Sequence, residues 1–261
     1  EQPVTHHPFF TTAARDRPME NRELFAAITT VPPVFVRLDG RAFHRLAKVL
    51  GLQKPFDERF SGAMAAVCRS LLADSGLSPA FAYTFSDEIS LYLPKLPFSG
   101  RVEKIDSVAA SYAASALALA LELDEPLAFD ARVIPATREF AVEYLINRQD
   151  EAWRNHINAY CQQALVADGM KMRQAAAKLK GMPSKELHEL MHARGVNLAK
   201  TPAWQRRGIL VYKREKVVTG YNPVKKEKVT ATRSAVVIDR DLPLFTAPAG
   251  QVFLSSLLGS A

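Results

Sequence analysis

Residues 83–93 read YTFSDEISLYL, a run of aromatic and β-branched residues interrupted at its centre by Ser86-Asp87-Glu88. FAYTFS before the break and ISLYLP after it are short strand patterns, and Pro94 and Pro97 close the second. Two such runs around a short polar step specify a β-hairpin. Adjacent carboxylates at its turn have two readings, a solvated turn or part of a metal site. The chain on either side has to decide between them.

Upstream, Thr29-Thr30-Val31-Pro32-Pro33 ends any helix and prepares an extended segment. VFVRLDG, residues 34–40, alternates apolar residues with Arg37 and stops at Asp-Gly, which predicts a strand ending in a turn. Phe56 to Asp74 carries an N-cap candidate in Asp57 and helical spacing at Phe60, Met64, Val67 and Leu71. Downstream, a long helix is expected from about Arg101 to Leu123, and FDARVIPA, 129–136, reads as another strand. The order strand, helix, strand, strand, helix, strand is the split βαβ, ferredoxin-like pattern of an α+β fold.

From Thr137 the pattern is helical through about Ala193, punctuated by Gly169, Gly181 and Pro183. GILVYKREKVVTG and EKVTATRSAVVIDR then predict a long polar hairpin. The expected organisation is a ferredoxin-like core over 1–136, including an N-terminal extension, and a helical and hairpin region over 137–261 packed on it as one integrated domain. Residues 1–30 and 242–261 carry no functional pattern.

With 261 residues, 48% hydrophobic and 23% charged, the chain has an ordinary globular composition. Its 34 basic and 27 acidic residues leave a net charge of +7, which favours a polyanionic partner. Cys68 and Cys161 are too few for a zinc framework and read as free thiols of a reducing, cytoplasmic compartment. EQPVTHHPFF has no basic region followed by an apolar core, so no signal peptide is expected. The charge-free stretch Val108–Leu121 is too short to cross a bilayer, and its alanines suit a helix lying close against a sheet.

In the split βαβ order the first strand and the hairpin pair in the middle of one sheet. Asp39, at the end of that strand, is therefore expected beside Asp87 at the hairpin turn. Two carboxylates so placed can bridge two divalent cations roughly 3.5–4 Å apart, the arrangement used in phosphoryl and nucleotidyl transfer. Magnesium, a hard ion satisfied by few carboxylates plus phosphate oxygens and water, suits such a pair. Taken singly, each acid also fits a plain solvated turn.

VRLDGRAFHRL at 36–46, with YTFSDEISLYL, resembles the tRNA(His) guanylyltransferase family, the reverse (3′–5′) polymerases that extend the 5′ end of tRNA. The resemblance continues through LQKPFDERF, RVEK, FDARVIPA, EYLINRQDEAWRN and GVNLAKTPAWQRRGILVY, and covers most of residues 31–240 in order. It implies a polymerase palm with two magnesium ions, GTP and ATP as substrates, tRNA as partner, and a homodimer or homotetramer. Asp39, the Gly40 carbonyl and Asp87 resemble the metal ligands, with Glu88 as a neighbouring candidate catalytic acid that orients the site. Arg41, Ala42, Phe43 and His44 resemble the loop that holds the incoming triphosphate through backbone amides. Ser86 resembles a further nucleotide contact. Lys54 and Asp57 match a Lys-Pro-x-Asp element near the nucleotide, and Arg101 and Lys104, one helical turn apart, resemble a phosphate-binding pair.

One departure concerns HINNLYN, which follows RQADC in eukaryotic members. Aligned on Arg148-Gln149, this chain has Trp153 at that histidine, and His156-Ile157-Asn158 is displaced by three residues. The chain therefore resembles more closely the archaeal and bacterial guanylyltransferase-like branch, which implies repair of 5′-truncated tRNA, addition of G at position −1 of histidine tRNA, or both. Lys178, Lys180, Lys185, Arg206, Arg207, Lys225, Lys226, Lys228 and Arg233 are candidate RNA-phosphate contacts. The competing readings are a palm-domain nucleotide cyclase and a non-catalytic tRNA-binding protein.

Overall fold

The computed structural model describes residues 25–222 and 227–259, without the side chains of 216–222, 227–229, 231 and 233. Lys225 and Lys226 lie outside the described residues, as do the side chains of Lys228 and Arg233. Six antiparallel strands, β1 (Val34–Gly40), β2 (Phe81–Phe85), β3 (Glu88–Leu93), β4 (Phe129–Pro135), β5 (Ile209–Asn222) and β6 (Glu227–Asp239), form one sheet. Their order is β4-β1-β3-β2-β5-β6. The first four strands have the ferredoxin-like order expected from the sequence. The late hairpin extends that sheet, because β5 pairs with β2 from Phe81↔Tyr212 to Thr84↔Ile209.

Side chains alternate across the pleat, so each strand serves two cores. Val34, Val36, Leu38, Ile89 and Leu91 are fully buried under α2 (Glu58–Ala73) and α3 (Val102–Ala120). Asp57 starts α2 by accepting the Phe60 N–H at 2.9 Å, as its N-cap position predicts. In α3, Ala109 and Ala113 are wholly buried, and their small side chains let the helix lie close to β1 and β4. Both cysteines are buried and unpaired, and burial pushes both thiols up, Cys161 to about 11.

On the opposite face, Phe35, Phe81, Tyr83 and Tyr92 pack against α4 (Arg138–Ala167) and α8 (Pro248–Gly259). Helix α4 has 30 residues, roughly 45 Å at 1.5 Å per residue. Its first half covers the sheet, where Tyr144 stacks on Phe35 at 4.1 Å. Its second half builds a separate small core with α5 (Met172–Leu179) and α6 (Ser184–His192), including Ile157, Cys161, Leu179, Leu187 and Met191. Gly169 and Gly181 take left-handed backbone at φ 92° and 77° where α4 and α5 end, the breaks their positions predict.

Some elements were not legible. A short helix, α1 (Phe43–Val49), follows β1, and the C-terminal tail is part of the core. Leu242, Phe245 and Leu254 are fully buried. The tail is held by Gln149, whose amide donates to the Pro243 carbonyl at 3.0 Å and accepts the Phe245 N–H at 2.7 Å. Gln149 is 3% exposed, so replacing it leaves two buried backbone groups unpaired. Gln149→Met is expected to lower unfolding free energy by about 2–4 kcal/mol in chemical denaturation and to open the tail to protease. Unchanged stability would refute this role.

Candidate active site

The antiparallel register sets Asp39 directly across from Glu88 on β3 and from Asp130 on β4. Gly40, next in the chain, donates its N–H to the Asp87 carbonyl at 3.2 Å. Ser86 and Asp87 form the two-residue turn between β2 and β3, with Ser86 in left-handed backbone at φ 49° and its hydroxyl donating to Asp87 Oδ1 at 3.0 Å. The hairpin turn and the end of β1 thus meet at one corner of the sheet. Asp39 is exposed and Asp87 half-buried. Burial raises the Asp87 pKa and the negative charge of Asp39 adds to that, while hydrogen bonds from Ser86 and its own backbone offset part of the rise.

The donor set fits magnesium. Asp39, Asp87 and the Gly40 carbonyl offer only hard oxygens, and two carboxylates are what magnesium takes when phosphates and water complete its octahedron. Among the described residues no group of three or more His, Cys, Asp and Glu side chains is placed to hold a metal.

Glu88 is differently engaged. Arg148 of α4 donates to both of its carboxylate oxygens, at 3.0 and 3.4 Å. Burial pushes the Glu88 pKa up, and Arg148 and Arg37 only partly offset this. The candidate catalytic acid is therefore an ion-paired neighbour of the Asp39–Asp87 corner, held on the α4 face.

Beside that corner opens a cleft of about 520 Å³ lined by Gly40, Ala42, His44, Lys54, Ser86 and Asp87. Its far wall is Asn155, Asn158 and Gln162 of α4, with Trp204 of α7 (Ala203–Arg207). Gly40 has to be glycine here, since a Cβ would meet the Phe43 ring at 2.5 Å. Phe43 itself is buried edge-on to Phe60 and Phe129 and forms the cleft floor. Ala42 turns the chain at φ 60° into α1, whose first amides have no intrahelical acceptor. Arg41 is exposed, does not line the cleft, and its N–H is taken by the Ala128 carbonyl at 2.9 Å.

Asp57 lies in the cleft wall, but both of its oxygens accept backbone N–H groups, from Phe60 at 2.9 Å and Gln53 at 2.8 Å. Burial alone would raise its pKa, yet these two bonds and Arg59 bring it below the usual carboxylate range. It shapes the turn that presents the exposed Lys54. Arg101 and Lys104 are not brought to this cleft within one chain. They sit at the start of α3, past the Leu93 end of β3, which pairs with Val34 at the opposite end of β1 from Asp39. There Arg101 donates to the Phe98 carbonyl at 3.3 Å and Lys104 lies 5.9 Å from the Phe98 ring. Arg206 and Arg207 are likewise engaged with backbone, donating to the Thr201 and Leu242 carbonyls, both at 2.8 Å.

The sequence reading assigned no role to Gln162, Trp204 or the Arg148–Glu88 pair. The amide positions 155, 158 and 162 repeat at helical spacing, the one local signal of a shared face. Beneath them, His156 is fully buried, stacked between Phe56 at 5.8 Å and Trp153 at 5.2 Å, with Nε2 2.8 Å from the Thr201 hydroxyl. Burial, with Arg206 and His188 nearby, lowers its pKa from 6.5 to about 4. The unfolded chain binds this proton first, so stability falls as pH drops from 6.5 towards 4. Between pH 7 and 5 the loss attributable to His156 is about 2 kcal/mol. Thermal melts should show that slope in the natural chain and a flatter one in His156→Gln. Equal slopes would refute a buried neutral imidazole.

The fold has solved counterparts. A bacterial tRNA(His) guanylyltransferase-like protein in complex with ATP superposes with a TM-score of 0.73 over 95% of this chain and 99% of that one, at 23% identity, a likeness of fold. The family model described as tRNA(His) guanylyltransferase matches residues 17–137. tRNA(His) guanylyltransferase 1 of Arabidopsis thaliana is 30% identical over 204 residues, 74% of this chain, which spans only 36% of that longer protein. The probable tRNA(His) guanylyltransferase of Dictyostelium discoideum is 30% identical over 220 residues, covering 79% of this chain and 83% of that protein. With 30% identity sustained over most of the length of both proteins, this chain belongs to the tRNA(His) guanylyltransferase family of nucleotidyltransferases.

Proposed function

We propose that this chain adds nucleotides to the 5′ end of tRNA in the 3′–5′ direction, with two magnesium ions held by Asp39, Asp87 and the Gly40 carbonyl. The observation that carries the reading is the meeting of Asp39 and Asp87 beside a cleft that also presents Lys54 and His44. In the first step an oxygen of the tRNA 5′-monophosphate attacks the α-phosphorus of ATP or GTP and expels pyrophosphate. In the second the 3′-hydroxyl of the incoming nucleotide attacks the activated 5′-phosphorus and expels the nucleoside monophosphate. Bound magnesium supplies charge neutralisation on the phosphates and a lowered pKa for the attacking hydroxyl. The Lys54 ammonium offsets triphosphate charge, the amides opening α1 and the Ser86 hydroxyl face it, and the α4 amides offer donors and acceptors to a base.

The net charge of +7 and the exposed Lys178, Lys180 and Lys185 suit an RNA partner. A homodimer or homotetramer belongs to this reading, because Arg101 and Lys104 reach a nucleotide cleft only if it is another copy's. A cytoplasmic setting follows from its tRNA substrate; no helix among the described residues is long and apolar enough to cross a membrane. Repair of 5′-truncated tRNA is favoured over addition of G at position −1 of histidine tRNA. Trp153 stands at the eukaryotic histidine position, and the displaced His156 is buried beneath it.

The test is to incubate the chain with tRNA lacking its first nucleotide, ATP, labelled GTP and magnesium, beside full-length histidine tRNA, and to sequence the 5′ ends. Template-matched incorporation into the truncated tRNA is expected. Asp39→Ala and Asp87→Ala should each reduce it by on the order of 10²–10³. No incorporation in any 5′-phosphorylation state would sink the reading.

A further inference from the structure

Glu88 follows Asp87 and faces Asp39 across the β1–β3 pair, so a third carboxylate stands at the corner read as the cation site. Nothing in the proposed chemistry uses it, yet it is the most elaborately held acid there. Arg148 donates to both oxygens, with only 18% of the Arg148 and 12% of the Glu88 side chain exposed. The Ser90 hydroxyl lies 3.5 Å from Glu88 Oε1 and 2.8 Å from the Tyr144 hydroxyl. The Tyr144 ring stacks on Phe35 and lies 5.9 Å from the Arg148 guanidinium. The Glu88 carbonyl accepts the Thr84 hydroxyl at 2.7 Å, closing the hairpin.

Arg148 also occupies a particular place on α4. Gln149, the next residue, ties the C-terminal tail, and Asn155, two turns on, lines the cleft. A rigid helix pinned to Glu88 at one point fixes the distance between the acid corner and the amide wall. Both bonds leave one guanidinium nitrogen, Nη1, and as charge-assisted hydrogen bonds they hold the carboxylate in place.

We propose that Arg148 is a positioning residue. By pairing with Glu88 it keeps that carboxylate out of the divalent-cation site, leaving Asp39 and Asp87 as the carboxylate ligands, and it fixes the Ser86-Asp87 turn against α4. The proposal rests on the reading of Asp39 and Asp87 as the cation site. It concerns how the site is held and requires no contact between Arg148 and RNA.

The experiment is a double-substitution cycle on the full chain, with Glu88→Gln, Arg148→Met and the pair combined. It reads Mn²⁺ binding to the nucleotide-free protein by electron paramagnetic resonance, together with kcat and the KM values for GTP and for tRNA. Arg148→Met frees Glu88, so Mn²⁺ is expected to bind about tenfold tighter, kcat to fall roughly ten- to a hundredfold, and KM for GTP to stay near its original value. The combined variant should return Mn²⁺ affinity to that of the natural chain and recover most of the lost kcat. Glu88→Gln alone should leave Mn²⁺ affinity unchanged, and this near-isosteric variant carries the test if Arg148→Met fails to fold. Loss of Mn²⁺ binding in Glu88→Gln makes Glu88 a ligand and overturns the proposal. Purely additive effects in the combined variant, with KM for tRNA raised by Arg148→Met, make Arg148 an RNA contact and also overturn it. Mn²⁺ binding that is absent in the natural chain, or indifferent to Asp39→Asn, instead overturns the cation-site reading on which the proposal stands.

Discussion

The pairing of β1 with β3, from Val34↔Leu93 to Asp39↔Glu88, is the constraint on which the rest of the structure depends. It puts the last acid of one strand beside the turn acid of the hairpin without any loop having to find the position. A slip of one residue would turn Val34, Val36 and Leu38 out of their core and carry Asp39 to the opposite face. Those three side chains are wholly buried, so the hydrophobic energy of the core and the geometry of the acid corner are fixed by the same register.

Charge at that corner is arranged in two tiers. Asp39 and Asp87 are left without a protein cation among the described ion pairs, whereas Glu88 and Asp130 are matched with Arg148 and Arg132. The contrast in burial explains why the two pairs differ in weight. The Arg132–Asp130 pair is about half exposed on each side and adds little, as solvated ion pairs do. The Glu88–Arg148 pair is mostly buried, so losing either partner strands a charge. Two acids of that corner thus stand outside the described ion pairs while the other two are compensated.

Helix α4 joins the parts of the molecule. Its first half closes the sheet through Tyr144 and Leu145, Gln149 holds the C-terminal tail, and its second half supports α5 and α6 through Ile157 and Cys161. The aromatic cluster of Phe56, His156, Trp153 and Trp204 ties it to the turn that carries Lys54. The cleft thus lies between a wall built from the sheet and a wall built from this helix.

The amino-acid sequence by itself determined the strand-helix-strand-strand-helix-strand order, a hairpin broken at Ser86-Asp87-Glu88 (of which the structure puts Glu88 in β3), the Asp57 cap and the meeting of Asp39 with Asp87. Each of these follows from local alternation, helical spacing or a short-range turn, and the pairing follows from a topology with few alternatives. The sequence could not show that Arg101 and Lys104 stand at the far end of the sheet from the acids. Nor could it show that Asp57 spends both oxygens on backbone, that Glu88 belongs to Arg148 sixty positions away, or that Leu242 and Phe245 complete the core. A residue type and its spacing state which bonds a side chain can make. Which bond it does make depends on the partners that chain-distant segments bring within reach, and those are set only when the whole chain has packed.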